Sequence, residues 1–253
     1  MAFSKAMLVA RADLKMALQV KYVRLSLIGM GAFGPIIALL LIVLVVASVP
    51  LGADYYILMA FFPPMGATLL AMFSVIPATM ISANALVGER EQNTLEPILS
   101  TPLTDRELLL GKTLSSFIPS IALLLAGTCA VLLGSTIAFV VTGKPWMMIP
   151  DVPGLFLILC AAPLVILTAV SVNIIISGKV KRVYEAYQSS GMIILVLMIP
   201  MLVPIVTLEA DMPNPNVIWL ANLFTFLISI ILVTVTWALA LKRFNRDTMV
   251  SRR

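Results

Sequence analysis

The chain is 253 residues long, 61% hydrophobic and 11% charged, with a mean hydropathy of +1.08. Soluble domains carry about 25% charged residues, so this composition excludes a soluble globular fold and predicts an all-α polytopic membrane protein. The absence of histidine removes the commonest general base and metal ligand, and the net charge of +5 is a matter of where the basic residues fall.

Residues 3–24 carry a helical stripe of Phe3, Met7, Ala10, Leu14 and Leu18, with Lys5, Arg11, Lys15 and Gln19 off it. A basic amphipathic helix of this kind is expected to lie in the membrane interface. The apolar run after Arg24 is longer than a signal-peptide core, and it is read as a span. Six spans are predicted, over about 25–49, 56–87, 108–141, 154–177, 190–208 and 217–241, within a single transmembrane domain covering 1–253. The second and third far exceed the ~20 residues that cross the hydrocarbon core, so they are expected to tilt, kink or project. The fifth is the shortest, and Pro200 and Pro204 predict a break or a re-entrant piece.

Between the second and third spans, residues 88–107 form a polar hairpin set in an otherwise apolar chain. Thr94 is placed to N-cap a short helix, with Pro97 in its first turn, and Leu95, Ile98 and Leu99 make one small apolar face. Thr104 and Glu107 form a capping box that launches the next helix. An amphipathic knob between two long helices has nothing in its own loop to pack against, so its apolar face predicts a partner. Glu89 and Glu91 stand at the end of a long helix, where the macrodipole disfavours anions, and Arg90 or Lys112 is a candidate to compensate.

With the N-terminus inside, 16 of the 17 Lys and Arg residues fall in cytoplasmic segments and only Lys144 lies outside. By the positive-inside rule both termini are cytoplasmic. The basic balance is thus a topology signal and an attraction to anionic lipid, and no nucleic-acid partner is needed to explain it. Lys179, Lys181 and Arg182, ahead of Tyr184, serve equally well as topology anchors or as a contact.

No Asp, Glu, Lys or Arg falls in the middle of a span, which argues against proton- or ion-coupled carriage. There is no GxxxxGK[ST] loop; Gly111-Lys112-Thr113 lacks the upstream glycine and strand. Neither Gly-x-Ser-x-Gly nor HExxH occurs, so no catalytic or metal-binding residue is predicted. Cys129 and Cys160 lie inside apolar runs and read as core or lipid-facing residues. Asn222, Thr225 and Ser229 form a polar stripe in the last span. Thr68, Ser74, Thr79, Ser82 and Asn84 are scattered among Met65, Met72 and Met80 in the second. Helix packing accounts for such residues; a weakly polar, adaptable pathway lining is the functional alternative, with Thr68, Met72, Thr79, Asn222, Thr225 and Ser229 as its candidates. On these residues alone, a passive channel or secondary carrier, and a membrane anchor or sensor scaffold that recruits a cytoplasmic partner, stay open.

The run Gly88-Glu-Arg-Glu-Gln-Asn-Thr-Leu-Glu-Pro-Ile-Leu, then Thr101-Pro, then Glu107-Leu-Leu-Leu-Gly-Lys112, resembles the signature of the ABC type-2 permease family. Asn93 stands where glycine is common, and Pro97 enters the Leu-Glu-x-Leu-Leu run. Ser177-Gly-Lys-Val-Lys-Arg followed by Glu185-Ala-x-Gln188 is similar to the family's segment before the fifth span, and the order of all six spans agrees. The resemblance implies the transmembrane subunit of an exporter of a hydrophobic or amphipathic substrate in the cell membrane. Two six-span halves pair there, as a homodimer or as a heterodimer with a paralogue, surrounded by lipid. It implies cytoplasmic ABC ATPase subunits that bind ATP and Mg, with no cofactor in this chain. It also implies a coupling segment at the hairpin, here Glu89, Arg90, Glu91, Leu95, Ile98 and Leu99, and an interfacial N-terminal helix.

Overall fold

The computed structural model describes residues 2–88, 104–177, 180, 182–207 and 215–243, which are almost wholly helical and include no strand. In chain order these are α1 (Ala2–Gln19), α2 (Lys21–Ser48), α3 (Ala53–Ala83) and α4 (Asp105–Thr142), then α5 (Val152–Phe156) and α6 (Ala162–Ser177). α7 (Val183–Gly191), α8 (Leu195–Thr207) and α9 (Pro215–Arg243) complete the series. A π-helical turn, Asn84–Gly88, ends α3, another, Leu157–Ala161, joins α5 to α6, and a tight turn, Met192–Ile194, joins α7 to α8. Six segments among the described residues are long and apolar enough to cross a membrane: Lys21–Ser48, Ala53–Ala83, Glu107–Thr142, Val152–Ser177, Val183–Ile205 and Asn216–Lys242.

The break after α1 comes at Val20, whose ψ of 116° takes the backbone out of the helix. Residues 21–24 therefore belong to the spanning helix, ahead of the expected start at Leu25. Neither glycine nor proline marks the turn, so the sequence carries no local signal for it. The α7–α8 segment does change geometry, but at Met192–Ile194, ahead of Pro200 and Pro204, which sit inside α8.

α3 is the centre of the bundle. Its most apolar stretch is 61% buried within the chain, against 17% for α9, and it packs on α2, α4, α6, α7 and α8. It runs as one helix through Pro63, Pro64 and Pro77. Threonine hydroxyls close on carbonyls one turn back, an ordinary partner for a buried hydroxyl in an apolar helix. The Thr68 hydroxyl donates to the Pro64 and Met65 carbonyls (3.1 and 2.8 Å), and Thr79 to Ile76 (2.7 Å). α4 has 38 residues, about 57 Å at 1.5 Å per residue, far beyond a ~30 Å hydrocarbon core. α2 and α4 interlock through glycine. A Cβ on Gly127 would lie 2.8 Å from Pro35 Cγ, and one on Gly134 would lie 2.6 Å from Leu39 Cδ2. Gly143 closes α4 in the left-handed conformation, φ 66°, with its N–H donating back to the Val140 carbonyl.

Candidate functional site

The capping box is formed as its sequence suggests: Glu107 N–H donates to the Thr104 hydroxyl (3.3 Å), and Thr104 N–H donates to Glu107 Oε2 (2.9 Å). It starts α4 at Asp105. Two turns into the helix the Lys112 side chain turns inward and is almost fully buried, 4% exposed. Its ammonium donates to the carbonyl of Ala85, in the π turn at the end of α3, at 2.6 Å. It also stands 3.6 Å from Asp13 Oδ2 of α1, itself 5% exposed. Next to this contact the Tyr22 hydroxyl, at the start of α2, donates to Asn84 Oδ1 (3.0 Å). Four elements therefore meet at the root of the α3–α4 connection.

Side-chain size explains how α1 comes so close. Its inward seam is Ala6, Ala10, Asp13 and Ala17, all buried; Ala6 and Asp13 meet the start of α4, and Ala17 packs with Val23 of α2 and Ile81 of α3. A Cβ at Gly111 would lie 2.7 Å from Val9 Cβ and 2.9 Å from the Ala6 carbonyl oxygen, so only glycine fits. This seam shares only Ala10 with the apolar stripe expected from the sequence. Met7 and Leu14 are half-buried, while Leu8, Met16 and Leu18 are exposed on the outside. Burial pushes the Asp13 carboxyl above its ordinary value, and the Lys112 ammonium opposes that rise. Asp13 Oδ2 accepts no hydrogen bond, so its compensation is electrostatic.

Val180 and Val183, ahead of α7 and at its start, lie at the same end. They pack with Tyr187 against Ala83, Val87 and Ala186. At the opposite end the Lys144 ammonium donates to the Val49 carbonyl and lies 4.7 Å from the centre of the Tyr55 ring. The expected coupling residues Glu89, Arg90, Glu91, Leu95, Ile98 and Leu99, and with them Lys179 and Lys181, lie outside the described residues.

Of the expected pathway residues, Thr68, Thr79, Asn222, Thr225 and Ser229 are buried within this chain and Met72 is half-buried. Thr225 and Ser229 return their hydroxyls to the carbonyls of Ala221 and Thr225. Asn222 Nδ2 donates to the Pro153 carbonyl (2.8 Å), tying α9 to α5. The structure thus leaves Thr79 on α3 and Asn222, Thr225 and Ser229 on α9 as two separate groups, with Thr68 about 16 Å from Thr79 along α3. Asn173, not singled out in the sequence, joins the first. It is fully buried on α6, and Nδ2 donates to the Thr79 carbonyl (3.0 Å) and to the Ser82 hydroxyl. A lone Asn in an apolar span was the available signal.

A groove of about 390 Å³ opens on the flank, lined by Leu110, Leu114 and Phe117 of α4, Leu167 of α6 and Trp237 of α9. Its walls are almost entirely apolar, and none of the expected pathway residues lines it. Cys129 and Cys160 are free thiols, the first exposed on the outer surface. Among the described residues no group of three acidic or Cys side chains is placed to hold a metal ion.

No curated protein matches the chain. The family model described as ABC-2 family transporter protein matches residues 6–218, from the first turns of α1 through five spans to the start of α9. With most of its length inside that match, and with six helices long and apolar enough to cross a membrane, the chain belongs to the ABC-2 transporter family and is a multi-pass permease component of an ABC transporter.

Proposed function

We propose that the chain is one permease half of an ATP-driven exporter of the cell membrane. It pairs with a second half and takes its energy from separate cytoplasmic ATPase subunits, which hold the ATP and Mg. The observation that carries this reading is the meeting of α1, the end of α3 and the start of α4 around Lys112. These elements converge at the root of residues 89–103, where force from a docked ATPase would enter the bundle. Charge supports the orientation. Lys5, Arg11, Lys15, Lys21 and Arg24 lie on α1 and the start of α2, at the Lys112 end, whereas Lys144 sits at the opposite end. With the Lys112 end cytoplasmic, residues 89–103 face the ATPase.

On this reading Leu95, Ile98 and Leu99 enter a groove on the ATPase, with Glu89, Arg90 and Glu91 at its rim, and closure of the ATPases tilts the long α3 and α4. The pathway for a hydrophobic or amphipathic substrate forms between the halves, with Thr68, Met72, Thr79, Asn222, Thr225 and Ser229 as its candidate lining. ATP hydrolysis belongs to the partner, since the chain has no phosphate-binding loop.

The test is Ile98→Asp. Burial of an Ile side chain is worth roughly 1.5–3 kcal/mol, and an unpaired carboxylate in a docked groove costs more. Ile98→Asp protein should accumulate and fold normally, yet lose both co-purification with its ATPase and ATP-dependent transport. Normal docking and transport by that variant would remove residues 89–103 as the coupling element.

A further inference from the structure

The ammonium of Lys112 contacts two chemically different partners on two other elements. One is a carboxylate on α1, at 3.6 Å, and the other a backbone carbonyl in the π turn ending α3, at 2.6 Å. The two contacts do different work. The carboxylate offsets a buried charge, but Asp13 Oδ2 receives no hydrogen bond from it. The carbonyl contact is short and directed, and it falls where the ladder of α3 changes from i→i+4 to i→i+5. Such a turn holds one residue more than the α repeat, and returning it to α rotates everything beyond it by about 100°. Beyond it here is the connection to α4. A donor on the Ala85 carbonyl therefore fixes how that connection leaves the bundle. The Tyr22 hydroxyl on Asn84 Oδ1 holds the same turn from the side of α2.

We propose that Lys112 is a positioning residue for transport: its link to the Ala85 carbonyl fastens the end of α3 to the start of α4, and through Asp13 to α1. Movement delivered to the connection is then passed to these helices as one body. The inference rests on the permease reading above and deepens it, since it names the residue by which that movement enters the bundle. A staple between α1 and α4 alone would not reach the end of α3, which the ammonium holds through the Ala85 carbonyl. The alanine seam and Gly111 already hold α1 against α4 without Lys112.

The experiment uses the complex with its ATPase, in a background of Cys129→Ser and Cys160→Ser. Single cysteines at Trp146 and Val152, both exposed at the far end, report through their reaction rate with a membrane-impermeant maleimide. The rate is read with the ATPase nucleotide-free and then trapped with ADP and vanadate. Three forms are compared: wild type, Asp13→Asn/Lys112→Met, and Lys112→Arg with Asp13 retained beside the buried guanidinium. The double variant removes the buried charges together, so it leaves no uncompensated ion, and it removes the donor to Ala85. The single variant supplies a donor again. Trapping should change the wild-type rate about fivefold or more, the lower end of ordinary coupling between sites. That change should vanish in the Met form, although it still binds its ATPase and hydrolyses ATP, and should return in the Arg form. A merely structural role would lower the amount of complex in the Met form and leave the rate change intact in what remains. If the Met form responds like wild type, or the Arg form fails to recover, the inference is overturned and the permease reading stands. If the wild-type complex itself does not respond to trapping, the permease reading fails first.

Discussion

Lys112 and Lys144 bracket α4, and each gives its ammonium to a backbone carbonyl at the C-terminal end of another helix: Ala85 at the end of α3, Val49 at the end of α2. Helix C-termini carry partial negative charge and unpaired carbonyls, so a lysine satisfies both the dipole and the hydrogen-bond deficit. The longest helix is thereby fastened to a different neighbour at each end.

Lys144→Met removes the far fastening. A hydrogen bond from a charged donor contributes about 1.5–3 kcal/mol, and the contact over Tyr55 adds about 0.5–1 kcal/mol at a partly exposed site. A loss of roughly 2–4 kcal/mol in the unfolding free energy in detergent is expected. Unchanged stability would mean that this contact does not persist in solution.

Asp13 sets a pH dependence of definite sign. Burial holds its folded pKa above 3.8, with Lys112 opposing, so the fold binds this proton more tightly than the unfolded chain does. The group's contribution is therefore full below 3.8 and is lost as pH rises through the raised folded value. Stability of wild type relative to Asp13→Asn should fall from acid to neutral pH, read as amide-exchange protection of α1. The opposite slope would show that attraction to Lys112 outweighs desolvation.

Two glycines should respond oppositely to alanine. At Gly111 the new Cβ meets Val9 and the Ala6 carbonyl, below 3 Å, and overpacking of this kind costs typically about 1–3 kcal/mol. At Gly29 a Cβ meets nothing within 4 Å, and helix propensity alone favours alanine by about 1 kcal/mol. Thermal unfolding of the two variants should move in opposite directions. A common direction would refute the close approach of α1 to α4.

Asn173→Leu should cost little. Hydrogen bonds between membrane helices average about 0.6 kcal/mol. Asn173 leaves its own Oδ1 unpaired, and Ser82 can still donate to Thr79. A loss above about 2 kcal/mol, beyond the largest such bonds, would show that this amide has a further partner in the assembled transporter.

The six spans were legible because crossing a membrane requires a long apolar run whatever its packing partners. The capping box was legible because its reciprocal bonds are local, between Thr104 and Glu107. Partner choice was not. Asp13 was not singled out on its basic helix, and Lys112 stood as a candidate partner for Glu89 and Glu91. Only the fold places them 3.6 Å apart. The inward face of α1 was not legible for a related reason: hydrophobicity ranks Leu above Ala, but close helix packing selects the small side chain, so Ala6, Ala10 and Ala17 are inside while Leu8 and Leu18 are not. The break at Val20 lacks a glycine or proline signal and depends on contacts remote in sequence.

The order in which the ribosome delivers the chain gives the Lys112 contact a further meaning. Asp13 and Ala85 both precede Lys112 in the sequence, and the α2 surfaces that receive Gly127 and Gly134 precede those glycines. Until α4 emerges, α1, α2 and α3 wait with Asp13 uncompensated and the Ala85 carbonyl lacking its lysine. Once Lys112 arrives, the first four helices can lock together before α5 to α9 exist. Every residue of the Lys112 contact is thus delivered before α5 to α9, which add their packing against α3 afterwards.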